Sequence, residues 1–167
     1  MLSALASNRP PCVPDPNSET VYTGTCGAHR RAPVTQSRWA FAMTDQAVTV
    51  ETLQAFLDAF NRHDLDAIMD FFADDCEFLM PRGPDPWGKR FVGKEAVREG
   101  LATRFAGLPD VHYGDDRHWA CGDFGVSDWL ITGTTPAGKR VEARGVDLLE
   151  FRDGRIVRKD SYWKLVE

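Results

Sequence analysis

The residue best placed to do chemistry lies in the stretch 141–151. Read with a period of two, Val141, Ala143, Gly145, Leu149 and Phe151 share one face of a strand, and Asp147 falls among them. Glu142, Arg144 and Glu150 take the other face. A carboxyl group among small and apolar neighbours is costly unless it is paired or neutral. Desolvation favours the neutral acid, and a neutral acid can donate a hydrogen bond to a carbonyl or enolate oxygen. The plainer alternative pairs Asp147 with Arg144, Arg140 or Lys159 for structure, although Arg144 falls on the wrong face for that. A second candidate is His118, which follows Asp115-Asp116-Arg117. Imidazole is the side chain suited to act as a base near neutral pH. A surface histidine beside acids is the simpler alternative.

Other chemistries find no support. Cys12, Cys26, Cys76 and Cys121 form no Cys-x-x-Cys pair, and the histidine spacing gives no zinc pattern. There is no glycine-rich phosphate loop and no Gly-x-Ser-x-Gly elbow. Neither a metal nor a cofactor is expected. The formal charge of −5 argues against a nucleic-acid partner, which needs a basic face to meet phosphate. No apolar run approaches the roughly 20 residues of a bilayer span. A soluble, cytoplasmic protein with no membrane partner is expected.

The elements that must position Asp147 can be read around it. Residues 1–42 hold five of the ten prolines and no lysine, and show neither helical nor strand periodicity. They predict a disordered extension, with the folded domain over 43–167. Four of the 20 basic and two of the 25 acidic residues lie in that extension, so the domain keeps 16 against 23, a charge of −7. Thr49 can cap a helix over about 50–62, with Leu53, Phe56, Leu57 and Phe60 as one apolar stripe. Asp64 caps a second helix, with Leu65, Ile68, Met69 and Phe72 repeating that spacing. Residues 76–80 read as a short strand stopped by Pro81, 81–89 as loop, and 94–106 as a third helix. From Val111 onward, breaks near Gly122-Asp123, in 135–138 and at Asp153-Gly154 predict three hairpins and four antiparallel strands.

This order of elements resembles the nuclear transport factor 2-like superfamily, in particular its SnoaL-like branch. The resemblance spans 50–166. It rests on Phe60-Asn61-Arg62-His63-Asp64-Leu65-Asp66-Ala67, Phe72-Ala73-Asp74-Asp75 and Phe91-Val92-Gly93-Lys94-Glu95-Ala96-Val97. Trp129 with Thr132-Gly133-Thr134, and Phe151-Arg152-Asp153-Gly154-Arg155-Ile156, complete it. The resemblance implies an α+β, cone-shaped roll, with three N-terminal helices packed in a strongly curved antiparallel sheet. The superfamily includes ketosteroid isomerases, limonene-epoxide hydrolases, polyketide cyclases, dehydratases and proteins that only bind, so the fold does not fix the reaction.

Carried over residue by residue, the resemblance puts Asp147 where ketosteroid isomerases keep an oxyanion-hole acid. Their general base falls on Met80 and their oxyanion-hole tyrosine on Phe56, neither of which can serve. The acid of the SnoaL-type cyclases falls on Ser161, and an aromatic of the isomerase pocket on Trp163. Phe56, Phe60, Met80, Trp129 and Trp163 are expected to wall a hollow for a small apolar or aromatic ligand. Either Trp119 or His118 joins them, but not both. Lys159 is expected at the rim. The functional expectation is a cofactor-free enzyme, with Asp147 and His118 as its catalytic pair, acting through an enolate or similar oxyanion. The alternative is a carrier without catalysis. The resemblance also implies a homodimer through the outer sheet face, where Val146 and Leu148 lie.

Overall fold

The computed structural model describes residues 47–164 and 166. The expected extension over 1–42 and its boundary lie outside them. The elements run α1 (Val50–Asn61), α2 (Leu65–Asp70), β1 (Phe72–Leu79), β2 (Arg90–Val92), α3 (Lys94–Gly107), β3 (His112–Cys121), β4 (Phe124–Thr134), β5 (Arg140–Arg152) and β6 (Arg155–Trp163). The strands form one curved, unclosed sheet in the order β2-β1-β6-β5-β4-β3. This is the α+β roll the sequence predicts. The hairpins are antiparallel, but β1 runs parallel to β6, a pairing the sequence pattern did not disclose.

Thr49 caps α1 by accepting from the Thr52 amide at 3.2 Å, and Asp64 caps α2 by accepting from the Ala67 amide at 3.0 Å. The stripe Leu53, Phe56, Leu57 and Phe60 is buried. It packs into the concave face of the sheet, close enough to β4 that a Cβ on Gly125 would meet a Leu53 methyl at 2.7 Å. Phe72 departs from expectation. It is not the last residue of the second helical stripe but the first of β1, and it is fully buried. Helix α2 ends at Asp70 because the Phe71 carbonyl is taken by the Ile156 amide at 2.8 Å, and Phe72 pairs with Ile156. Sheet pairing overrides the local helical spacing here.

The link after α1 ties the helices to β3. Asn61 donates from Nδ2 to the Tyr113 carbonyl at 2.9 Å and accepts from the Tyr113 amide at 2.8 Å. Tyr113 is thereby fixed on the concave face. The Asp153-Gly154 turn has positive φ at both residues, 52° and 73°, as a two-residue type I′ hairpin requires. That turn starts the β5–β6 hairpin with Phe151 opposite Ile156, and a bulge between Glu150 and Phe151 then shifts the register by one residue, which brings Ser161 opposite Asp147.

Candidate functional site

Two cross-strand rows build the site. Ser127 of β4, Asp147 of β5 and Ser161 of β6 stand opposite one another, as do Trp129, Gly145 and Trp163. Partners opposite one another in adjacent strands share a face, so all six residues face the interior of the roll. Gly145 is essential to this arrangement. A Cβ there would sit 2.3 Å from the Trp129 ring. Its absence lets the indole lie across β5, where Nε1 donates to Asp147 Oδ2 at 3.1 Å.

Asp147 is 5% exposed and is not alone. Its Oδ1 accepts from Ser161 Oγ at 2.5 Å and makes an ion pair with Lys159 Nζ. Lys159 also donates to Ser161 Oγ at 2.7 Å. Lys159 is 4% exposed, with the rings of Phe78 and Phe60 centred 5.2 and 6.0 Å from its nitrogen. Burial pushes this ammonium below its ordinary pKa. Asp147 opposes the fall and Arg104 adds to it. A lowered lysine beside a carboxylate can exchange a proton with it, because a low dielectric brings the ionic and neutral forms of the pair closer in energy.

These groups line a cavity with about 20 Å³ of free space, room for a water molecule and not the ligand-sized hollow that the sequence predicts. Phe60, Phe78, Leu101, Tyr113, Trp129, Asp147, Lys159 and Ser161 form its buried part, and the more exposed Met80, Thr103, Arg104 and Trp163 its mouth. Burial pushes the Tyr113 phenol well above its usual range, and the Arg104 guanidinium beside it partly offsets that. The hydroxyl therefore stays a donor at neutral pH. Among the described residues, no group of three or more His, Cys, Asp or Glu is arranged to hold a metal ion.

Of the residues singled out from sequence, Phe60, Met80, Trp129, Asp147, Ser161 and Trp163 line this one cavity. Three do not. Trp119 is 51% exposed on the outer face, because His118, one residue earlier, takes the inner position opposite Ser127. His118 is nonetheless absent from the cavity wall. Its ring nitrogens are bonded to Ser127 Oγ and Asp116 Oδ2, each at 2.9 Å. Phe56 is buried against Phe60, Phe71 and Phe72 and packs the core instead. Lys159 belongs on the cavity floor and not at its rim. Arg144 is spent outside, gripping Asp128 through two hydrogen bonds of 2.9 Å.

Tyr113 and Arg104 were missed from sequence. Arg104 follows Leu101 by three residues on α3, so helical spacing carried the signal. Nothing in the spacing around Tyr113 disclosed its partner, Asn61, which lies 52 residues away.

The family of the SnoaL-like domain matches residues 53–159. A comparison with curated proteins finds no match. Among solved structures, a candidate polyketide cyclase of Xanthomonas campestris is 25% identical, with a TM-score of 0.61, over 68% of this chain and 88% of that one. An NTF2-like protein of unknown function from Mesorhizobium loti is 29% identical, with a TM-score of 0.57, over 69% of this chain and 89% of that one. A Catenulispora acidiphila protein with a ketosteroid isomerase-like fold is 21% identical at a TM-score of 0.60, over 71% and 88%.

Proposed function

The chain belongs to the SnoaL-like domain family, and on that premise we propose that it is an enzyme working through side chains alone, by way of an enolate or similar oxyanion, on a small oxygen-bearing, largely apolar molecule. One observation carries the reading. A lysine with a lowered pKa is buried against Asp147 and Ser161 at the floor of an aromatic-lined cavity. Lys159 and Asp147 form the acid–base couple. In its neutral form the lysine takes the proton from the carbon next to a substrate carbonyl. The electron pair moves onto the carbonyl oxygen, and the Tyr113 hydroxyl donates a hydrogen bond to that oxyanion. The proton then returns from Lys159 to carbon or oxygen, giving isomerisation, dehydration or ring closure according to the substrate. His118 drops out of this scheme because it is not among the residues that line the cavity.

The second reading is a carrier that binds its ligand without chemistry; the free space of about 20 Å³ requires the cavity to open for either. Deuterium wash-in separates the two. Small cyclic ketones incubated with the protein in D2O are expected to lose their α-proton signals in NMR. Substituting Lys159→Met or Asp147→Asn should slow the exchange by about 10²–10³-fold, the effect of removing one placed polar group from an oxyanion site. Exchange as fast in both variants as in the wild type would sink the enzyme reading. We also propose that two copies pair through the outer sheet face.

A further inference from the structure

Two guanidinium groups lie against one indole, that of Trp163, and one of them, Arg104, lines the mouth of the cavity. Arg104, from the last turn of α3, lies 4.4 Å from the ring centre of Trp163, and Arg82, from the loop after β1, lies 5.7 Å from it. Neither has a carboxylate within ion-pair distance among the described residues; Arg62 and Arg155 share that condition but do not line the cavity, and the other described arginines are paired. A guanidinium at the cavity mouth without a carboxylate partner, in a chain with 25 acids against 20 bases, forms an unfilled anion position. The helix end does not account for Arg104. A residue there serves the helix by reaching back to its last carbonyls, whereas this guanidinium lies against Trp163 and beside the Tyr113 hydroxyl. Asp147 is already ion-paired with Lys159 and bonded to Ser161 and Trp129, and makes no ion pair with Arg104.

We infer that Arg104, seconded by Arg82, is a carboxylate subsite at the cavity mouth, and that the molecule taken up is a small aromatic or cyclic carboxylic acid. The guanidinium fork matches a carboxylate with two parallel hydrogen bonds. The apolar body of the ligand then faces Met80 and Trp163 and points its far end towards Lys159. A monoanion suits the place better than a phosphate, because the C-terminal end of a helix carries partial negative charge. With so little free space, Arg104 and Trp163 must part as the ligand enters. The inference rests on the ligand-binding reading above but does not require turnover.

Matched probes test it. Benzoate and benzamide share shape and differ in charge. Their binding is followed by tryptophan fluorescence and calorimetry on the full chain, with Arg104→Gln and Arg82→Gln variants alongside. The wild type should prefer benzoate at least tenfold, with affinity falling as salt rises. Arg104→Gln should reduce benzoate to the level of benzamide, and Arg82→Gln should weaken it by a smaller factor. Equal affinity for the two probes in the wild type, or benzoate binding unchanged in Arg104→Gln, overturns the subsite. Benzamide bound without benzoate overturns the subsite alone and leaves the pocket reading standing. Failure of both probes at millimolar concentration overturns both. If Arg104→Gln does not fold, the wild-type comparison still decides.

Discussion

At the scale of single residues, the Asp147–Lys159 pair is a feature kept at the expense of stability. Two charges that are 5% and 4% exposed have given up most of their hydration, and their attraction rarely returns more than it cost. Removing one partner leaves an uncompensated buried charge. Lys159→Met should therefore lower the unfolding free energy by about 3–5 kcal/mol, while the double variant Asp147→Leu with Lys159→Met should recover most of the loss. Urea denaturation of the two variants checks this, and a double variant no better than the single one would contradict it. Alkaline pH adds an independent sign. The Lys159 pKa is lowered from 10.5 on folding, so above its native pKa the unfolded chain binds more protons than the native one. In that window, up to 10.5, the lysine makes the wild type gain stability as pH rises. Lys159→Met lacks that gain, so the two unfolding free energies should draw apart between neutral pH and 10.5. Parallel curves would mean that the lysine keeps its ordinary titration.

At the scale of elements, the site depends on β5 coming close beneath the Trp129 ring. Gly145→Ala would put a methyl group 2.3 Å from that ring, so the indole must lift and release Asp147. Overpacking of this kind costs about 1–3 kcal/mol. A lower Tm should be accompanied by a change in tryptophan near-UV dichroism, and an unaltered spectrum would show that the ring does not need the glycine. The alternation that sends Asp147 inward was legible in the sequence, because period two depends only on spacing within one strand. So was the Asp153-Gly154 turn, although the bulge that shifts the β5–β6 register by one residue and brings Ser161 opposite Asp147 was not. The partner of Asp147 was legible only as one of three basic residues, Arg140, Arg144 and Lys159, of which the structure pairs Lys159 with it. Lys159 shares inward parity with Ser161 and Trp163, yet a lysine on an inward position reads as a rim residue until the depth of the strand is known. The β1–β6 pairing lay beyond reach, since it joins segments about 80 residues apart and leaves no local pattern. The same holds for Phe72, where a local helical spacing pointed one way and a distant strand decided the other.

At the scale of the whole molecule, the sheet has two faces with different tasks. The concave face holds the core and the cavity. On the convex face Trp119 and Tyr162 are each 51% exposed, and register places Trp119, Val126 and Leu148 in one row and Val146 and Tyr162 in the next. Exposed aromatics gathered with aliphatic neighbours on one face support the proposed pairing of two copies there. A two-fold axis through that face would set each row against its own copy, with no remaining sticky edge. Beside these rows, Arg144, Arg117, Asp128 and Asp115 bond to one another, so their charges are already satisfied and do not oppose close approach. The proposed dimer should scatter light with twice the 18.7 kDa chain mass at micromolar concentration. Trp119→Glu places a like charge opposite or near its own copy across the axis, and should shift the mass to that of one chain while circular dichroism stays unchanged. A wild-type protein that already scatters as a single chain would leave this face without a partner of its own kind, and Trp119 exposed for some other reason.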